Sequence, residues 1–216
     1  MPPVVPEVFR KSGEQLVNYD FTDLLASVGY VTLYGIKDEA DNYSLVRIQP
    51  QNADYRTKLN KTDAAGDLSS EVNFDFTFGM NQRVRGKLYV AETYEAEGNA
   101  SDNCNALTKV RIYHVRGVTE TEIGTQQTTT TIDDAASTGP DFYRAVLTFD
   151  VDKVFIPGDI LRVNVEIHIP TNVGSVASFA ALFHDGGNRN WGQTYEGVLI
   201  DSLFTVDVPF DLRGKL

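Results

Sequence analysis

Ile160-Leu161-Arg162-Val163-Asn164-Val165-Glu166-Ile167-His168-Ile169 alternates without a break. In an extended chain Leu161, Val163, Val165, Ile167 and Ile169 fall on one side, and Ile160, Arg162, Asn164, Glu166 and His168 on the other. A period of two sustained this long marks a strand with one face in a core and the other on polar ground. Just upstream stands Pro157-Gly158-Asp159, whose residue types favour a turn. Phe142 to Val151 reads as a strand, and Asp152 to Asp159 contains that turn.

The same grammar extends both ways. Val72, Phe74, Phe76 and Phe78 alternate with Asn73, Asp75 and Thr77, and Val84 to Thr93 continues across Leu88 and Val90. Val110, Ile112 and His114 oppose Lys109, Arg111 and Tyr113, after which Gly117 interrupts the run. Val118 to Thr131 is rich in threonine and suits an exposed strand. Tyr30 to Tyr34, Tyr43 to Ile48, Val176 to Phe183 and Val198 to Val208 complete the set. About nine or ten strands with few helices predict an all-β fold, an antiparallel β-sandwich. A jelly-roll closure fits the high strand count better than an immunoglobulin-type sandwich, and the Cys-Trp-Cys pattern of the latter is missing.

Residues 1–28 read differently, as an extended N-terminal arm ahead of a sandwich over 29–216. Three prolines in the first six positions favour extended backbone. A short helix over Phe21 to Ser27, capped by Asn18 or Asp20, is compatible with the residues that follow. An arm without a core of its own must be held by the body of its chain or by a neighbouring subunit.

At 216 residues the chain is long enough for one large domain with a substantial core. Thirty acidic residues against nineteen basic ones give a formal charge of -11, which disfavours nucleic acid as a partner. Cys104 is the single cysteine, so an intrachain disulfide and a multi-thiolate zinc site are both excluded. The opening residues lack a basic region followed by an apolar run, and no stretch approaches the length of a membrane span. The expectation is a soluble protein without membrane association.

Residues suited to catalysis are scattered. His114, His168 and His184 show no ligand spacing, which leaves no metal or cofactor to assign. Gly174-Ser175 lacks the context of a nucleophile elbow, and Cys104 lies in a polar segment read as a loop. Asp38-Glu39-Ala40-Asp41-Asn42 and Ile132-Asp133-Asp134 read as solvated loops without calcium-loop spacing. His184 to Trp191 joins glycines, polar side chains and the sole tryptophan. It fits either a structural turn over a packed indole or a glycan groove lined by Asp185, Asn188, Trp191 and Tyr195. Arg10, Arg83, Arg85 and Arg116 suit ion pairs with acidic neighbouring subunits, though the sequence does not show how they group.

Phe142 to Val151, followed by Phe155-Ile-Pro-Gly-Asp-Ile-Leu-Arg-Val-Asn-Val-Glu-Ile, resembles β-sandwich structural proteins of tailed bacteriophages. Tyr19-Asp20-Phe21-Thr22-Asp23, running into Gly29 to Gly35, is similar to their openings. The resemblance implies a non-enzymatic virion structural protein, a capsid decoration or cement subunit on the capsid surface. It implies the major capsid protein as partner and homo-oligomers, with a trimer favoured. It carries no catalytic residues. Arm contacts are then expected from Pro2, Pro3, Val4, Val5, Phe9 and Arg10. The competing expectation is a carbohydrate-binding sandwich on a virion surface or fibre, using the Trp191 groove.

Overall fold

The ten-residue alternation over Ile160–Ile169 becomes the central strand of one layer. A computed structural model of the chain describes residues 28–37, 42–48, 56–61, 68–97, 103–134, 141–170, 172–173, 178–184, 194–195, 198–199 and 204–211. These hold fifteen strands. They are β1 (Val28–Lys37), β2 (Tyr43–Val46), β3 (Arg56–Lys61), β4 (Leu68–Thr77), β5 (Gln82–Glu97), β6 (Asn103–Arg116), β7 (Thr119–Thr128) and β8 (Ile132–Asp134). The rest are β9 (Asp141–Phe155), β10 (Ile160–Ile169), β11 (Asn172–Val173), β12 (Ser178–Phe183), β13 (Thr194–Tyr195), β14 (Val198–Leu199) and β15 (Thr205–Asp211). Among the described residues there is no helix, and so none long and apolar enough to cross a membrane.

β10 lies between β4 and β6, antiparallel to both, and β7 extends that layer beyond β6. The opposing layer runs β9-β5-β15-β1-β2, with β12 pairing the distal half of β5 and carrying β3. The expected β-sandwich is what forms. It departs from a purely antiparallel scheme at one place, the parallel bridge Ser44↔Asp75, where β2 links the two layers.

The inner faces meet as the sequence pattern dictates. Leu161, Val163, Val165, Ile167 and Ile169 are fully buried, and one apolar cluster joins them to Val72, Phe74, Leu88, Val90, Phe149 and Val206. Phe78 stacks on Phe155 and Phe74 on Phe204, each with ring centroids 4.3 Å apart. β7 crosses close over β9 because residue 124 is glycine. A Cβ there would stand 3.1 Å from Phe149 Cδ1, inside ordinary contact distance.

Several boundaries differ from those read in the sequence. The strand expected to end at Val151 continues to Phe155, since Asp152 sits across the ladder from Arg85 rather than in a turn. Cys104 belongs to β6, and Asp133 and Asp134 to β8, so neither segment is a loop; β8 pairs with β6 from Ala106↔Ile132 to Cys104↔Asp134. The single strand expected over Val198 to Val208 is divided into β14 and β15. Val28, the last residue of the expected arm, opens β1 opposite Asp211. Residues 1–27, including Pro2, Pro3, Val4, Val5, Phe9, Arg10 and the candidate helix over Phe21 to Ser27, lie outside the described residues.

Candidate functional site

Three tight connections gather at one end of the sandwich: 78–81 between β4 and β5, 117–118 between β6 and β7, and 156–159 between β9 and β10. Register places them together, for Ile160 is opposite both Thr77 and Val115, and Gln82 is opposite Phe155. Main-chain bonds fasten the first connection to the third: Gly158 N–H donates to the Phe78 carbonyl at 2.8 Å, and Phe78 N–H donates to that of Asp159 at 2.9 Å. In the third connection Asp159 N–H bonds back to the Ile156 carbonyl at 3.0 Å. Pro157 pre-sets the first central position of this turn, and Gly158 supplies the positive φ of 88° that the second requires.

Asp159 organises the cluster. Its carboxylate is buried and accepts from Arg116 Nε at 2.9 Å, Arg116 Nη2 at 2.7 Å, His114 Nε2 at 2.8 Å and Ile156 N at 2.9 Å. The Arg116 fork, then the His114 ring and the Ile156 amide, hold its carboxyl well below the usual carboxylate range despite burial. His114 in turn packs edge-on against Phe155. This histidine is a satisfied structural group.

Beside it, Arg83 grips Asp152 through Nε and Nη2, both at 2.8 Å. Hydrogen bonding to Arg83 lowers the Asp152 carboxyl in the same way. Arg85 Nε lies 3.9 Å from Asp152, and Arg85 Nη1 lies 3.8 Å from Asp211. Arg83, Arg116, Asp152, Lys153, Val154 and Ile156 line an open depression of about 580 Å³. The apolar side chains around this end are well exposed: Val118 fully, Met80 at 60%, Val154 at 51% and Ile156 at 40%. The combination is chemically distinctive. Two guanidinium groups are fixed by carboxylates on their Nε/Nη2 edges, and among the described residues their Nη1 groups make no hydrogen bond. Lys153 forms no ion pair among the described residues. Rigid donors beside apolar contacts suit an anionic group attached to something greasy.

The grouping of Arg83, Arg85 and Arg116 was not visible in the sequence, because it depends on which strand ends share a register. Arg10 lies outside the described residues. So do Asp185, Asn188 and Trp191 of the expected glycan groove; Tyr195 is on β13 opposite Val198, with its side chain outside the description.

Two further polar clusters are internal. Glu92 on β5 is buried between the layers and accepts from the Thr108 hydroxyl, while Thr129 Oγ1 accepts from the Thr108 amide at 2.9 Å. Burial pushes the Glu92 carboxyl up to about 7, against the smaller opposing effect of Thr108. On the outer face of β10, Glu166 and His168 meet Lys109, whose Nζ lies 2.8 Å from His168 Nε2. Arg162 there is clamped by Asp75, with both bonds at 2.7 Å. These cross-strand pairs neutralise one another on a flat sheet face. Among the described residues no three of His, Cys, Asp and Glu are grouped to hold a metal ion.

No protein-family model and no curated protein sequence matches the chain. Among solved structures it is similar to a CocE/NonD family hydrolase from Staphylococcus aureus, at 11% identity and a TM-score of 0.46, covering 85% of this chain and 37% of that one. An aminopeptidase from a marine sediment Thaumarchaeota archaeon matches at 10% identity and a TM-score of 0.47, with 86% and 37% covered. The Gx strain of infectious bursal disease virus matches at 16% identity and a TM-score of 0.29, with 85% and 39% covered. The chain thus spans under two-fifths of the length of each. The expectation that the protein is not an enzyme is corrected by the first two matches, which set this sandwich beside parts of hydrolytic proteins; at their identity and TM-score they assign no activity to it.

Proposed function

We propose that this chain is a structural subunit of a virus particle, whose sandwich lodges against neighbouring copies and the shell through its leader and its sheet edges. The observation that carries the reading is the end of the sandwich just described. It displays cations and exposed apolar side chains on a rigid, cross-braced frame. Such a surface is made for a macromolecular partner. The resemblance of Phe142–Val151, Phe155–Ile167 and Tyr19–Gly35 to tailed-bacteriophage sandwich proteins supports the same reading.

β9 adds a second attachment element. It pairs with β5 over fifteen residues, and among the described residues its outer backbone edge has no ladder partner. A free edge of that length accepts a foreign strand readily. Sedimentation velocity on the full chain and on a chain lacking residues 1–27 tests the reading. The full chain is expected to associate with rising concentration; the truncated one is expected to remain monomeric while still melting in a single cooperative step. A full chain that stays monomeric at about 100 μM, roughly the concentration at which even weak contacts are populated, overturns it.

A further inference from the structure

We infer that the cationic, apolar end of the sandwich is the receiving surface for this protein's own segment Tyr19-Asp20-Phe21-Thr22-Asp23-Leu24-Leu25. The inference deepens the reading above by naming where the leader lodges, and it rests on that reading for the leader's role in contact.

Chain path supplies the first argument. β1 enters the sandwich at Val28, opposite Asp211. Asp211 lies 3.8 Å from Arg85, and Arg85 lies 3.9 Å from Asp152, which lines the depression. The leader therefore joins the body beside the depression. Tyr19 to Leu25 precede Val28 by three to nine residues, a reach of roughly 10–30 Å in extended form. That spans the end of this sandwich and also the gap to an abutting copy.

Complementarity supplies the second. The body offers Arg83, Arg116 and Lys153 around Val154 and Ile156. The segment offers Asp20 and Asp23 interleaved with Phe21, Leu24 and Leu25, and it contains no Lys or Arg. Carboxylates reach the outward Nη1 groups and the Lys153 ammonium, while an aromatic ring covers Val154 and Ile156. Both arginine forks are already fixed by Asp152 and Asp159, so little side-chain freedom is lost when they are used. Contact between copies through it joins two different surfaces, leader and sandwich end, an arrangement that a reciprocal twofold exchange, a ring or an array each satisfies.

Photo-cross-linking of the full chain with Phe21 replaced by p-benzoylphenylalanine tests this. An equal mixture of ordinary and nitrogen-15-labelled protein is irradiated, digested and mapped by mass spectrometry. Cross-links are expected within Lys153–Pro157, Met80 or Val118, and not at Val146, which is exposed on the same strand farther along. Lys153→Glu should cut their yield about tenfold by turning an attraction into a repulsion. Mixed-isotope products, expected as about half of the total when every link joins two copies, show lodging in a neighbour; same-isotope products alone show lodging on the chain's own body, which upholds the receiving surface and rejects exchange of leaders between copies. Cross-links confined to other surfaces, or a yield indifferent to Lys153→Glu, overturn the inference even if the chain still self-associates.

Discussion

Glu92 and Asp159 show how opposite environments give two buried carboxylates opposite roles. Glu92 has one oxygen on the Thr108 hydroxyl, and among the described residues its Oε2 has no hydrogen bond. Its carboxyl is pushed up to about 7 by burial. A group whose folded pKa exceeds its unfolded one stabilises the fold below the unfolded value and loses that contribution as pH rises through the folded value. Stability should therefore fall between about pH 4.5 and 7, by about 3 kcal/mol if burial acts undiminished. Glu92→Gln, neutral throughout, should flatten that limb and raise the urea midpoint at pH 8. A lower midpoint for the variant at pH 8 would show that the charged form is accommodated. Asp159 works in the other sense. Its lowered carboxyl contributes stability above the ordinary carboxylate range, and that contribution is lost as pH falls. Asp159→Ala removes the acceptor of four hydrogen bonds and strands the buried His114. The expected cost is about 3 kcal/mol at pH 7, shrinking in acid, as read by denaturant titration at the two pH values.

At the scale of elements, the crossing of β7 over β9 depends on the missing side chain at position 124. Gly124→Val would drive branched carbons into Phe149, which already stands 3.1 Å from where a Cβ would lie. We expect a loss of about 1–3 kcal/mol, with hydrogen exchange accelerated first in β7. Uniform exchange across the sandwich would contradict the view that Gly124 is what lets β7 pack close over β9. The same elements show what could be read from the sequence. β10 was legible to the residue from its chemical alternation, although its polar face is itself half-buried to buried, with Asn164 and His168 both buried. β5 was legible only in part. Past Val90 it carries Glu92, Thr93 and Glu95, all buried, in the stretch flanked by β9 and β12, although their polar side chains predict exposure. β3 was missed, since Arg56-Thr57-Lys58-Leu59-Asn60-Lys61 owes its strand state to pairing with β12 rather than to its own composition. Asp152 misled in a related way: an acid before Pro157-Gly158 reads as part of the turn until register sets it opposite Arg85.

For the whole molecule, the decisive feature is the gathering of three connections, one hairpin (β6–β7) and two crossings between the layers (β4–β5 and β9–β10), at one cationic and apolar end. Nothing in the local sequence around Arg83, Arg116 or Lys153 announces it, as the three sit near the ends of different strands, β5, β6 and β9, far apart in the chain. Against a formal charge of -11, this end is locally basic, and at physiological salt local sign governs contact because fields fade within about 8 Å. Association should therefore weaken as salt rises from 50 to 500 mM, with sedimentation as the measure; insensitivity to salt would assign the contact to apolar surface alone. The path of the leader in the assembled state is decisive. Electron cryo-microscopy of the associated full-length protein, at a resolution that traces the main chain, is its most direct test. The prediction is continuous density from Val28 of one copy running onto the Arg83–Arg116–Lys153 end of the next. Density that returns to the body it came from, with that end bare and the copies joined elsewhere, would contradict it.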